Sequence, residues 1–264
     1  MKDFKEEFEK YYTKIKNHEP FAFSRWADGE LWILEDKFCP HGSEWSLSPT
    51  SYGYLNPEDQ KHFDASQHGF HKEKLWDAFR YAASNYYIGI TTASDSDILE
   101  GANPRDWMVE NSGSDIDNIT FANLFINSNY PNFRAEALPL FNEYEIIIMC
   151  NEKANLNGLK VKKDFRVGSN CIINDDDKIE QIVDYVKKEK PEGHLFLFCA
   201  SSLGNICIHR LHEIAPNNTY IDLGSAINPD LNLGLDRGYL SAWAGIKQRG
   251  LWDMSSYLTR EETW

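Results

Sequence analysis

Two stretches in the second half, Glu-Ile-Ile-Ile-Met-Cys at 145–150 and His-Leu-Phe-Leu-Phe-Cys-Ala at 194–200, are almost unbroken apolar runs. Runs this short and this apolar read as strands buried on both faces, and such strands belong to parallel sheets covered by helices. Residues 165–168 and 219–223 read as two further strands, with helices at 178–188 and 203–214 between them. Strands alternating with helices imply right-handed crossovers and an α/β, mainly parallel, Rossmann-like sheet with helices on both faces. Asp175, Asp176 and Asp177 are expected to cap the helix at 178–188, because negative charge suits a helix N-terminus.

The first half keeps the same rhythm. Residues 3–17 carry Phe4, Phe8, Tyr11, Tyr12 and Ile15 at helical spacing, and Pro20 closes that helix. A strand is expected at 21–26, followed by a helix to about 36, a long loop over 38–54 and a helical region over 57–84 broken at Gly69. Residues 86–90 read as a short strand, and 91–117 as an acidic loop. Residues 119–129 put Asn123 and Asn127 four apart, hence on one helical face; 133–141 continue as helix or turn interrupted by Pro139. Neither a linker nor a repeat divides the chain, so 1–264 reads as a single domain with an N-terminal helix and an extension from about 240 to 264.

With 264 residues the chain can bury a sizeable core. Its net charge of −14 argues against docking on a nucleic-acid backbone, although a few arginines suffice for one nucleotide. No 18-residue apolar run predicts a membrane span, and the charged residues 1–7 do not resemble a signal peptide. Five cysteines without CxxC spacing suggest reduced thiols, a cytoplasmic location and no zinc site.

Parallel sheets keep their ligands beyond the carboxyl ends of the strands, so the residues just after each strand form a candidate site. These are 25–30, 91–95, Asn151, 201–204 and 224–225. Asp28 and Glu30 flank Gly29 in the first of these turns, and two carboxylates converging there would suit a hard divalent cation. Equally, Asp28 could cap the following helix. Ser201, Ser202 and Gly204 open a helix with small side chains, a natural seat for phosphate. Asp222, before Gly224 and Ser225, could hold a ribose hydroxyl or the metal, and Arg237 could fold onto a diphosphate or pair with Asp236. No P-loop, G-x-G-x-x-G or G-x-S-x-G motif is present. His209 and His212 read as partly buried helix residues, not zinc ligands.

Ser-Arg-Trp-Ala-Asp-Gly-Glu at 24–30 resembles the Arg-aromatic-Gly-Asp-Gly-Glu signature of GT-D fold glycosyltransferases, whose hallmark is an Asp-X-Glu motif after the first strand. The segments at 199–204 and 220–225 resemble that family's two late strand-end turns, and 125–130 resembles a segment of its relatives, including small virus-encoded ones. The likeness runs in islands from about residue 20 to 240. It implies transfer of a sugar from a nucleoside-diphosphate donor, typically a UDP-sugar, to a glycan or other hydroxyl acceptor, with Mn²⁺ or Mg²⁺. Carried over, the Asp-X-Glu pair is Asp28 and Glu30; Ala27 departs from the family's usual glycine. On this reading Arg25 adds positive charge at the phosphates, Asn123 and Asn127 read base, ribose or sugar hydroxyls, and Asp95 is the first choice of catalytic base. Competing readings are a nucleotide-sugar sensor without turnover and, against the charge, a glycosyltransferase acting on modified DNA bases.

Overall fold

The computed structural model describes residues 2–35, 39–40, 62–91, 103–235, 237–245 and 254–264. The apolar runs form one seven-stranded sheet: β1 (Ala22–Arg25), β2 (Tyr86–Ile90), β3 (Ile119–Phe121), β4 (Ile146–Asn151), β5 (Val161–Val167), β6 (Leu195–Phe198) and β7 (Thr219–Asp222). Their order is β3-β2-β1-β7-β6-β4-β5, and every neighbouring pair is parallel. Continuous hydrophobicity along the strands is explained by alternation between two cores. Ile147, Met149, Phe196 and Phe198 point to one face, and Ile146, Ile148, Leu195 and Leu197 to the other.

Handedness decides which face each connection covers. The helices are α1 (Phe4–Lys16), α2 (Asp28–Leu34), α3 (Ala65–Arg80), α4 (Pro104–Asn111), α5 (Cys171–Asn174), α6 (Asp177–Glu189), α7 (Ser202–Ile214) and α8 (Gly238–Trp243). Connections stepping toward the β3 edge carry α2, α3, α4, α6 and α7, whose Leu31, Phe79, Met108, Ile182 and Leu203 share one core. The two connections stepping toward the β5 edge bury Phe133, Phe141 and Ala154 in the other. Opposite directions place opposite faces outward when every crossover is right-handed. Among the described residues, no helix is long and apolar enough to cross a membrane.

Several expectations are corrected or sharpened; the expected acidic loop over 91–117, for one, holds the helix Pro104–Asn111. Residues 119–129 are not a helix: Ile119–Phe121 pairs with β2, and Asn127–Asn129 is a single 3-10 turn, so tertiary pairing overrides the local spacing. The aspartates do not cap α6 through their side chains. Asp176 stands at its N-cap but binds Lys74 Nζ at 2.6 and 2.8 Å, Asp175 accepts from the Gly168 amide, and Asp177 from Gln181. The break near Gly69 is real but centred on His68, whose φ/ψ of −118°/23° leaves the helical region. Residues 133–141 contain a π turn, Phe133–Ala137, immediately before the short helix Leu138–Leu140 that carries Pro139. Of the expected loop at 38–54, all but Cys39–Pro40 lies outside the described residues.

Gly89, near the end of β2, has no room for a side chain between its neighbours β1 and β3. A Cβ there would lie 2.8 Å from the Phe121 carbonyl oxygen and 2.8 Å from a Phe23 ring carbon. Gly89→Ala is therefore expected to destabilise the fold by about 1–3 kcal/mol, read as a lower urea midpoint; an unchanged midpoint would contradict this packing.

Candidate functional site

β1 and β7 are adjacent, yet the chain leaves them on opposite faces: α2 follows β1 into one core, while Ala226, Ile227 and Tyr239 follow β7 into the other. Such a divergence opens a crevice at the carboxyl ends of the two strands. Arg25, the last residue of β1, reaches along this edge. Its Nε donates to the Ala122 carbonyl at 3.0 Å, and its Nη1 lies 3.4 Å from where a Cβ on Gly224 would stand. Gly224 has φ +51°, a left-handed angle that glycine adopts without strain, so the turn after β7 both bends sharply and leaves room for the guanidinium.

Asp222 closes β7 and is 5% exposed. It accepts from the Gly224 amide at 3.0 Å. Burial pushes its carboxyl up to about 7; nearby Arg25 opposes that shift, while the Glu30 carboxylate adds to it. Glu30 is itself buried, and one of its oxygens accepts from the Ala27 amide at 3.0 Å. Ala27, not Asp28, is the N-cap of α2, and Asp28 is the first helical residue, half-buried. The motif thus sits on a helical turn, where residues two apart do not face one another. Gly29 has helical, not left-handed, geometry, and a Cβ on it would meet nothing within 4 Å. The carboxylate that Glu30 faces comes from Asp222, at the other end of the chain.

The first turn of α7 lies against the same strand end. Asn205 donates to Ser24 Oγ at 3.0 Å and to the Arg25 carbonyl at 2.6 Å. Ser201, at the N-cap, holds φ 50° and ψ −152°, a sparsely populated region that costs roughly 1–3 kcal/mol for a non-glycine residue. Ser201 is half-exposed and Ser202 buried. Gly204 serves packing: its Cβ position is 3.2 Å from Phe198 Cβ, so helix and strand approach closely there. Ser225 bonds the Tyr239 hydroxyl at 2.7 Å, and burial holds that phenol neutral well above its ordinary range despite the nearby positive charges of Arg25 and Arg237. Arg237 is the N-cap of α8, next to this group; Asp236 lies outside the described residues.

One further expectation resolves differently. Asn123 and Asn127 do come together, but on a carboxylate: both Nδ2 groups donate to Glu262 Oε1, at 3.2 and 2.6 Å. Asp95 lies outside the described residues. His209 and His212 sit on α7; His212 meets the Tyr81 hydroxyl and Asn85 Oδ1, each at 3.0 Å, and burial lowers its imidazole to about 4. Among the described residues no three His, Cys, Asp or Glu side chains gather as a metal cluster. Ala122, Asn205, Tyr239 and Glu262 escaped the sequence reading. Ala122, Asn205 and Tyr239 stand beside or within two residues of the candidates Asn123, Gly204 and Arg237, whereas nothing local marks Glu262.

No protein-family model and no curated relative matches the sequence. By structure the chain is similar to the domain of unknown function 1792, described as having a distinct glycosyltransferase fold: TM-score 0.50 and 10% identity over 82% of this chain and 77% of that one. It is also similar to a new glycosyltransferase of that type from Streptococcus sanguinis, with TM-score 0.49 and 10% identity over 82% and 80% of the two chains. At this identity the likeness shows the fold alone, an α/β parallel sheet with helices on both faces.

Proposed function

We propose that the chain is a glycosyltransferase that moves a sugar from a nucleoside-diphosphate donor, with UDP-sugar the first candidate, to a hydroxyl acceptor such as a glycan. The observation carrying this reading is the meeting of the Arg25 guanidinium with two acids, Glu30 and Asp222, at the β1/β7 crevice. A buried pair of opposed acids fits a hard cation, and oxygen donors fit Mn²⁺ or Mg²⁺. Glu30 would hold it, and Asp28, which the motif pairs with Glu30, would reach the same cation from the neighbouring face of the helical turn, with Asp222 either a further ligand or the partner of a ribose hydroxyl. When bound, the cation stabilises charge on the departing diphosphate as a Lewis acid.

The remaining work belongs to the chain's own residues. Arg25 and Arg237 offer guanidinium forks to the phosphates. Ser201, Ser202 and the first amides of α7 supply donors at a helix N-terminus, and Ser225, set by Tyr239, adds a hydroxyl. Asn123 and Asn127 border the crevice beside Ala122, on the side where the base or sugar would lie. Asp95 is proposed as the base that deprotonates the acceptor. The reading places the enzyme in the cytoplasm, where thiols such as the buried Cys150, Cys171 and Cys207 stay reduced.

A thermal-shift screen of nucleotides and nucleotide sugars, with and without Mn²⁺, tests the pocket, because a ligand of the folded state raises the melting temperature by mass action. Wild type is expected to be stabilised by UDP only with Mn²⁺ and to release UDP slowly from a UDP-sugar. Asp28→Ala and Glu30→Ala should lose both effects while remaining folded. Full activity in both variants would remove the metal assignment, and binding without release of UDP, with varied acceptors present, would favour a sensor.

A further inference from the structure

Glu262 lies far from the strand ends in sequence, yet it is 4% exposed and its carboxylate is fully enclosed by protein. Its Oε1 accepts from both Asn123 and Asn127, and Arg260 Nε approaches it at 3.6 Å. A buried carboxylate is costly unless its hydrogen bonds are made, so this contact fixes the segment and the loop to each other. Two neighbours reinforce it. The Ser128 amide donates to the Arg260 carbonyl at 3.1 Å, and Trp264 packs edge-on against Phe121 with ring centres 5.5 Å apart. Residues 260–264 therefore grip the loop after β3 at both ends, at Phe121 and at Asn127–Ser128.

Between those two grips lies Ala122. Its amide donates to the Ile90 carbonyl at 2.8 Å, continuing the sheet, and its carbonyl receives Arg25 Nε. Asn127 itself stands at φ 55°, a left-handed angle that a non-glycine residue keeps only when its surroundings hold it. A long arginine side chain loses much rotamer freedom when ordered, and a site that has fixed it beforehand binds anions more tightly.

We propose that Glu262 is a positioning residue: through Asn123 and Asn127 it braces the loop whose Ala122 carbonyl aims the Arg25 guanidinium at the donor's diphosphate. The brace rests on the glycosyltransferase reading only in its last step, the identity of the anion. Glutamine at 262 keeps an oxygen for both asparagines and preserves the brace. Alanine leaves the buried Asn127 amide and the half-buried Asn123 amide without this acceptor and releases the loop.

The test uses the full chain, with the Arg25 Nε–H resonance assigned by its disappearance in Arg25→Lys and its hydrogen exchange followed in wild type, Glu262→Ala and Glu262→Gln. Glu262→Ala is expected to speed this exchange at least about tenfold and to weaken calorimetric binding of UDP with Mn²⁺ by about tenfold, whereas Glu262→Gln stays near wild type in both. Unchanged exchange in a folded Glu262→Ala variant overturns the brace, as does a Glu262→Gln variant no better than alanine. Should Glu262→Ala not fold, Asn123→Ala takes its place: faster Arg25 exchange supports the brace, and unchanged exchange overturns it. If wild type binds no UDP, the donor reading falls while the exchange comparison still decides the brace.

Discussion

Asp222→Asn is expected to make the metal-free protein more stable at pH 8 and to change it little at pH 4. Burial raises the Asp222 carboxyl from 3.8 to about 7 in the folded state, so the folded chain binds a proton that the unfolded chain has already released between those values. Its contribution to stability is therefore fully present below pH 3.8 and is lost as pH rises through about 7. A displacement of that size corresponds to an order of about 4 kcal/mol. Asparagine is neutral throughout, keeps an oxygen for the Gly224 amide and can donate toward Glu30, so it escapes the loss. Neutral buried histidines such as His212 and His71 act in the opposite sense, destabilising the fold as pH falls, but they are common to both proteins and cancel in the difference. Urea melts in EDTA at pH 4 and pH 8 read the result, and an equal difference at both pH values would contradict it. The same variant should lose sugar transfer, which would mark Asp222 as a residue kept at the expense of stability.

Arg25→Ala is expected to weaken UDP binding with Mn²⁺ by about 10- to 100-fold, because charge-assisted hydrogen bonds contribute about 1.5–3 kcal/mol each. It removes the guanidinium beside Gly224 and also the positive charge that opposes protonation of Asp222. Arg25→Lys should recover little, since an ammonium cannot hold the Ala122 carbonyl and grip a diphosphate with a fork at once. Isothermal titration with UDP measures the loss; a lysine variant binding as tightly as wild type would show that only net charge matters at this position.

What the sequence made legible follows from range. Strands covered on both faces announce themselves locally, so Ile146–Asn151 and Leu195–Phe198 could be read without any partner. The edge strand Val161–Val167 is half polar, which hid its first turn of residues behind Lys162 and Lys163. Turns at strand ends were picked out because topology favours ligands there, and Arg25, Asp222 and the Ser225–Tyr239 pair do lie near one another at the ends of β1 and β7. Side-chain partners set by distant chain were not legible. Asn123 and Asn127 were expected on one helical face with ligand hydroxyls to read; they meet on Glu262 instead, and neither the 3-10 turn that carries Asn127 nor Glu262 leaves a local mark. Gly29 misled for the same reason: a glycine between two acids suggested a special turn, whereas the needed left-handed glycine is Gly224.

The pairing of β1 with β7 has a consequence for how the protein reaches its working state. Ala22 and Phe23 lie opposite Tyr220 and Ile221, so the central seam of the sheet joins segments almost two hundred positions apart. Until β7 is made, β1 presents an unpaired apolar edge in the growing chain, a template for wrong pairing and aggregation. Closing so long a loop is slow relative to local structure formation. The crevice is built from that same seam, so it cannot exist before β1 and β7 have paired. Shortened chains ending before β7 should thus be aggregation-prone as well as inactive, and a gain of UDP binding during refolding should report the closing of this seam rather than any earlier stage.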